Sequence, residues 1–110
     1  LLPPGIEMQL IDHHGAPGVV FSIDSPYMAA ATNAIEAAFG RPPVFIREGG
    51  SIPIVNTFAQ QLECDVLLLG WGLDDDNPHS PNEKFSLEDY HRGTIASAHL
   101  WTELAKITNN

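Results

Sequence analysis

A chain of 110 residues, 44% of them hydrophobic, is long enough for one small domain with a modest core. Its 14 acidic and 5 basic residues give a net charge of −9, which argues against nucleic acid or an anionic membrane as a partner because few cations are available to neutralise phosphates. No apolar run reaches the length of a membrane span and no signal peptide is visible, so we expect a cytoplasmic protein.

The beginning of the chain predicts two extended segments joined by a loop. Residues 6–12 alternate apolar and polar positions, a pattern typical of a half-buried strand. His13 and His14 follow in the loop, and because adjacent side chains at a strand end point to opposite sides, we interpret both as surface residues. Residues 19–23 favour a further extended segment.

A helix comes next, with clear signals at both of its ends. Ser25 is a good N-cap, Pro26 suits the first helical position, and Gly40 is a typical C-terminal stop. The apolar positions between them form one stripe, which we expect to face the core. This stripe comprises Met28, Ala31, Thr32, Ile35 and Phe39.

The following segment combines a strand, a glycine loop and a helix start. Residues 44–46 predict a short strand, residues 47–51 a loop, and Pro53 begins a helix that runs to about Leu62. Its predicted inward side is formed by Val55, Phe58 and Leu62. Backbone N–H groups at a helix N-terminus favour an anion and Arg47 adds a forked donor, which together predict an anion site. A plain connector, with Arg47 paired to a surface acid, explains the same pattern equally well.

The most unusual chemistry lies in residues 70–84, directly after an apolar run at 65–69 that predicts a buried strand. This loop contains three consecutive aspartates, a histidine bracketed by prolines and an Asn-Glu pair. Pro78 and Pro81 restrict the backbone around His79, which makes its imidazole a candidate metal ligand beyond a strand end. A solvated turn is the alternative interpretation, since Asp, Asn and Pro are common turn residues.

The last predicted element is a helix that begins after Ser86, a serine N-cap followed by acids in the first turn. Its predicted inward face comprises Leu87, Tyr90, Thr94, Ala98, Trp101 and Ala105, widened by Leu104. His91 and His99 are two turns apart, too distant to chelate one metal, so we interpret both as structural.

The alternation of strands and helices favours an α/β fold, a parallel or mixed sheet with covering helices. Cys64 is the one cysteine and cannot form an internal disulfide. Its place at the start of the apolar run 65–69 favours a buried structural thiol over a nucleophile.

Two motifs together resemble a known family. Residues 47–53 are Arg-Glu-Gly-Gly-Ser-Ile-Pro, and residues 79–83 are His-Ser-Pro-Asn-Glu after a Gly-x-Gly and an acidic run. In this order and at about this separation, they resemble the C-terminal part of the dinuclear-zinc exopeptidases. That family contains aminoacylases, glutamate carboxypeptidases and carnosinase-type dipeptidases. The resemblance extends over nearly the whole chain and is weakest near its beginning.

The resemblance implies an α/β fold with two parts. Residues 19–110 correspond to the C-terminal part of the catalytic domain, and residues 1–18 to the last strand of a lid or dimerisation domain with a crossover. It also implies two zinc ions per active site, with His79 as the metal ligand that this chain supplies and no catalytic residue in it. The substrate-binding positions that it implies are Arg47, Gly49, Gly50, Ser51 and Asn82.

The resemblance further implies the reaction and the partners. We expect part of a zinc-dependent metallopeptidase or amidohydrolase that acts on dipeptides or N-acyl amino acids with a free carboxylate. The expected partners are this small substrate, the rest of the parent polypeptide and, in the parent, a second copy in a homodimer. The chain begins with Leu1 rather than Met, which favours a fragment without its natural N-terminus.

The family's other metal motifs have no counterpart in these residues: a His-x-Asp, a bridging Asp, and a Glu-Glu pair with the catalytic base. Because a catalytic zinc needs about three protein ligands, we predict that the isolated chain is inactive. Two alternatives stay open. One is a non-catalytic folding or dimerisation module with inherited motifs, and the other is a small acidic metal-binding module that uses His79 and Asp74–Asp76.

Overall fold

The computed structural model describes residues 2–12, 15, 17–48 and 52–108. These residues form three helices in chain order, which we number α1 (Pro26–Phe39), α2 (Pro53–Leu62) and α3 (Leu87–Thr108). All three begin where the sequence predicts a helix start. No helix of the described residues combines the length and apolar character needed to cross a membrane.

The ends of α1 follow directly from its capping residues. The side-chain oxygen of Ser25 accepts a hydrogen bond of 3.1 Å from the backbone N–H of Met28, and Pro26 occupies the first turn. Gly40 ends the helix at φ 71, a left-handed conformation that glycine adopts without a steric penalty. Its N–H donates to the carbonyl oxygen of Glu36 at 2.8 Å. The predicted caps of this helix are confirmed.

The start of α3 is stabilised in the same way. The hydroxyl oxygen of Ser86 accepts a 3.2 Å hydrogen bond from the backbone N–H of Asp89, which confirms the predicted N-cap. Glu88 and Asp89 lie in the first turn and Lys106 in the last, so charges at both ends complement the helix dipole.

Helices α1 and α3 pack against each other through small side chains. The buried residues on α1 are Ala30, Ala31 and Ala34, and those on α3 are Gly93 and Ala96. In the described part of the chain this is the one helix–helix contact, and α2 packs on neither of the other two helices.

The predicted inward face of α3 is therefore wrong. Tyr90 is 58% exposed and Trp101 is 75% exposed, because the surface that fits the alanines of α1 is the one formed by Gly93 and Ala96. Periodicity locates a stripe of large apolar residues, but the neighbouring helix selects the face with the closest packing. The predicted inward side of α2 is only partly correct, since Val55 is buried while Phe58 and Leu62 are exposed.

The predicted α/β fold is also wrong, because the described residues contain three helices and no β-strand. Residues 6–12, 19–23, 44–46 and 65–69 have strand-like patterns but form no regular structure there. A strand exists only when its backbone groups pair with a neighbouring strand, and the alternation of side chains does not supply that partner. Side chains expected inside lie in solvent, as Leu10 at 85% exposure shows. Cys64, predicted as a buried thiol, is exposed as well.

The dimensions of the chain agree with this limited core. Its radius of gyration is 18.5 Å and its extents are 64 × 36 × 19 Å, whereas a compact domain of this length has a radius of roughly 13 Å. The accessible surface is 9217 Å², compared with roughly 6,000 Å² expected for a folded monomer of this size. The chain by itself thus leaves much apolar surface in contact with water.

Candidate functional site

The loop 70–84, which carries the candidate metal ligand, is attached at its start to the α1–α3 pair by Trp71. The indole ring stacks on the ring of Phe39, with centroids 5.4 Å apart and an angle of 15° between the planes. It also lies directly on Gly93 of α3, where an added Cβ would be 2.7 Å from the Trp71 Cδ1 atom. Only a residue without a side chain leaves room for the indole at this position.

Asp76 organises the next part of the loop. It is 6% exposed, and it is the one buried charged residue among those that the structure describes. Its Oδ2 atom accepts a 2.7 Å hydrogen bond from the backbone N–H of Leu73, and its Oδ1 atom accepts one of 3.1 Å from the Lys84 ammonium. Both carboxylate oxygens thus have partners, which offsets the cost of burying the charge.

Lys84 closes the loop at its other end. Its backbone N–H donates to the carbonyl oxygen of Asp76 at 3.0 Å, and its ammonium also pairs with the exposed Asp75 at 2.9 Å. The Leu73 N–H, and then the Lys84 ammonium, hold the pKa of Asp76 below its usual range. Asp75 first, and then Asp76, raise the pKa of Lys84. Asp76 and Lys84 are therefore both ionised at neutral pH.

The loop presents its exposed polar residues on an unusual backbone. Asn77, His79 and Asn82 have φ angles of 51, 63 and 61, all in the left-handed region that residues with a side chain disfavour. Ser80 stabilises the first part, since its N–H and its hydroxyl both donate to the carbonyl oxygen of Asn77, at 3.1 and 2.8 Å. His79 and Asn82 are exposed in the same loop.

The described residues do not form a metal site on their own. They contain no group of three or more His, Cys, Asp or Glu side chains placed to hold one ion. His79 can offer one imidazole, but both carboxylate oxygens of Asp76 are already engaged, by the Leu73 N–H and by the Lys84 ammonium. The idea of a self-contained acidic metal module thus finds no support in this part of the chain.

The predicted substrate positions are only partly visible. Arg47 is exposed, and in the described parts of the chain it makes no hydrogen bond or ion pair, with the loop 70–84 or elsewhere. Gly49, Gly50 and Ser51 lie outside the described residues. The structure thus places His79 and Asn82 in one loop, and among the described residues no hydrogen bond or ion pair joins Arg47 to them.

Sequence reasoning missed the residues that hold this loop in place. Gly93 carried a signal, because a glycine inside a strong helix is unfavourable and usually has a packing reason. The sequence shows three consecutive aspartates at 74–76, but nothing in their spacing indicates that Asp76 is the buried one. That distinction depends on Lys84 folding back over the loop.

Comparison with known proteins supports the resemblance. Residues 6–103 match the peptidase family M20/M25/M40. The Cys-Gly metallodipeptidase dug1 of Schizosaccharomyces pombe is 38% identical over 95 residues, which cover 86% of this chain and 20% of that protein. The Beta-Ala-His dipeptidase of Homo sapiens is 36% identical over 88 residues, 80% of this chain and 17% of that protein.

A third relative, the Cys-Gly metallodipeptidase DUG1 of Saccharomyces cerevisiae, is 42% identical over 84 residues, 74% of this chain and 17% of that protein. The chain thus spans about a fifth of the length of these curated relatives. No solved structure matches the chain.

The match covers nearly the whole chain, and relatives over 30% identical are named as metallodipeptidases, so the predicted resemblance is confirmed. The family is one of peptidases, and the relatives named as metallodipeptidases imply a metal cofactor for it. The chain belongs to peptidase family M20/M25/M40.

Proposed function

We propose that the chain is part of a longer, zinc-dependent exopeptidase that hydrolyses dipeptides or N-acyl amino acids with a free carboxylate. The observation that carries this proposal is the match of residues 6–103 to peptidase family M20/M25/M40, together with the similarity to dipeptidases of whose length the chain covers about a fifth. Relatives named for Cys-Gly and Beta-Ala-His point to small dipeptides as substrates.

In this proposal His79 supplies one metal ligand, and residues elsewhere in the longer polypeptide supply the others. Its exposed position on a loop held at both ends supports that role, because an exposed imidazole is free to bind an ion from outside the chain. When bound, zinc supplies the Lewis acidity that activates an amide carbonyl. Asn82, in the same loop, contacts the substrate.

The second substrate region in this proposal is the loop at 47–51. Arg47 binds the free carboxylate of the substrate, since its planar guanidinium matches a carboxylate with two parallel hydrogen bonds. Gly49, Gly50 and Ser51 line the pocket beside it. Residues 19–110 then belong to the catalytic domain, and residues 1–18 to the end of a lid or dimerisation domain.

The exposed apolar surface supports the rest of the polypeptide as a partner of this chain. An accessible area of 9217 Å², about half as much again as a folded monomer of this size exposes, is unfavourable in water. Contacts with the remainder of the polypeptide would remove part of this surface from water. A homodimer of the longer protein and a cytoplasmic location stay predictions.

The test compares the longer polypeptide with the isolated chain. We expect the longer protein to hydrolyse Cys-Gly or β-alanyl-histidine, to lose activity on treatment with a chelator, and to regain it with Zn²⁺. The 110-residue chain should show no turnover with or without Zn²⁺, because the described residues lack a complete metal site. Failure of the longer protein to cleave any dipeptide or acyl-amino acid would favour a non-catalytic folding or dimerisation module.

Arg47→Lys in the longer protein should lower kcat/KM for a free-carboxylate substrate by about tenfold. Lysine keeps the charge but loses the two-pronged hydrogen bond, and a tenfold loss corresponds to about 1.4 kcal/mol. The matched control is Arg41→Lys, another exposed arginine outside the motif, which should have no effect. Equal kcat/KM for Arg47→Lys and the unmodified protein would show that Arg47 does not bind the carboxylate.

A further inference from the structure

The backbone of the loop from Leu73 to Lys84 needs contacts that hold it in place. Asn77, His79 and Asn82 have φ angles of 51, 63 and 61, and such angles persist at residues with a side chain only where surrounding contacts determine them. Two of these three residues are the candidate metal ligand and the candidate substrate contact. Whatever holds the loop therefore also positions the proposed site.

The hydrogen bonds inside the loop are too local and too exposed to do this alone. The N–H and hydroxyl of Ser80 donate to the carbonyl oxygen of Asn77, and the N–H of Glu83 donates to the carbonyl oxygen of Ser80 at 3.3 Å. All of these residues are exposed, so water competes for the same groups and the net contribution of each bond is small.

Asp76 connects the two ends of the loop from a buried position. Its carboxylate accepts from the Leu73 N–H at 2.7 Å and from the Lys84 ammonium at 3.1 Å, and its carbonyl oxygen accepts from the Lys84 N–H at 3.0 Å. Asp76 is only 6% exposed, so the charge-assisted bond that its carboxylate accepts from the Leu73 N–H is directional and shielded from water, whereas the Lys84 side chain is 47% exposed. One side chain thus fixes both the entry and the exit of the segment that carries His79.

We propose that Asp76 is a positioning residue for the peptidase reaction and acts by holding the loop that presents His79 and Asn82. The proposal rests on the proposed function, since it takes His79 as a metal ligand and Asn82 as a substrate contact. Asp76 itself touches neither group. Lys84 is its partner in the same role.

Asp75 provides a matched control for this proposal. It is adjacent in sequence, carries the same charge and pairs with the same ammonium at 2.9 Å, but its side chain is 75% exposed. An exposed ion pair is screened by water and contributes little. The two aspartates therefore differ mainly in burial and in the hydrogen bond from Leu73.

The experiment compares substitutions at these positions in the longer polypeptide, under conditions where circular dichroism shows every variant folded. Asp76→Ala should lower kcat/KM and the affinity for Zn²⁺ by roughly 10- to 100-fold. Asp76→Asn retains an acceptor for the Leu73 N–H, and Lys84→Met leaves that bond intact. Both variants should therefore lose less kcat/KM and less Zn²⁺ affinity than Asp76→Ala. Asp75→Ala should change either quantity by less than about twofold.

Hydrogen exchange of the amides between 77 and 83 gives a readout that does not depend on activity. We expect faster exchange there in Asp76→Ala and Asp76→Asn, and unchanged exchange in Asp75→Ala. If exchange is unchanged in both Asp76 variants, or if Zn²⁺ affinity and kcat/KM stay within about twofold while only thermal stability falls, Asp76 is not a positioning residue.

Failure of the two proposals can be told apart. If the unmodified polypeptide cleaves no dipeptide, the proposed function fails, and the positioning role in a reaction fails with it. If the unmodified polypeptide is active and the Asp76 variants match the Asp75 control, only the positioning role is overturned.

Discussion

His79→Ala in the longer polypeptide is expected to lower dipeptide turnover by roughly a hundredfold or more and to reduce the amount of bound zinc. The imidazole is the one candidate ligand that this loop supplies, and removal of a group that stabilises developing charge costs an enzyme on the order of 10²- to 10³-fold. The fold should be unaffected, because His79 is exposed and the substitution leaves Trp71, through which the loop packs on α1 and α3, unchanged. Metal analysis and steady-state kinetics, with circular dichroism for folding, measure these effects.

Two further variants distinguish the contribution of the His79 imidazole from that of the backbone conformation at this position. His79→Gly also removes the left-handed φ penalty of about 1 kcal/mol, so it should be as inactive as His79→Ala and no less stable. His79→Gln should bind zinc only slightly better than His79→Ala, because an amide oxygen is a weaker zinc ligand than an imidazole.

The control is His99→Ala, an exposed histidine on α3 far from the loop in sequence, which should keep full activity and zinc. Normal metal content together with near-normal turnover in His79→Ala would remove this residue from the site.

Gly93→Ala is expected to destabilise the protein by about 1–3 kcal/mol, although alanine normally stabilises a helix relative to glycine by up to about 1 kcal/mol. The added Cβ would lie 2.7, 2.8 and 2.9 Å from the Cδ1, Nε1 and Cε2 atoms of the Trp71 indole, closer than a Cβ approaches non-bonded atoms in folded proteins. Either the indole leaves its stack on Phe39 or α3 moves away from it. Denaturation monitored by tryptophan fluorescence and circular dichroism measures the loss.

The matched experiment repeats this substitution after the indole has been removed. In a Trp71→Ala background no ring opposes the new methyl group, so Gly93→Ala should become neutral or stabilising. The effect of Gly93→Ala on the free energy of unfolding is therefore expected to change sign between the Trp71 and Trp71→Ala backgrounds. If Gly93→Ala lowers stability equally in both backgrounds, the contact between Trp71 and Gly93 is not the cause.

The same contact links the helix pair to the proposed site. Trp71 begins the loop that carries His79, and Lys84 and Asp76 close it, so the loop is attached at one end to α1 and α3 and is held together at the other by an ion pair. A loop built on a packed helix pair holds a ligand more precisely than one that is free at both ends. This arrangement explains why exposed residues can keep a disfavoured backbone conformation.

Local signals in the sequence were sufficient to predict all three helices and several of their ends. A serine oxygen near the first free N–H groups, a proline in the first turn and a glycine with positive φ act within a few residues, so Ser25, Gly40 and Ser86 could be recognised without knowledge of the rest of the fold. The two motifs around Arg47 and His79 were likewise enough to identify the family.

The buried side of α3, the presence of strands and the partner of each charge depend on residues distant in sequence, and here prediction failed. The predicted stripe of α1 is buried or half-buried, so prediction succeeded for that helix. A strand needs a neighbour to accept its hydrogen bonds, so the alternation in residues 6–12 did not determine a sheet. Tyr90 and Trp101 share a face of α3, but Gly93 and Ala96 fit the alanines of α1 more closely. Of three consecutive aspartates, only the tertiary structure makes Asp76 the buried one, because Lys84 and the Leu73 N–H converge on its carboxylate.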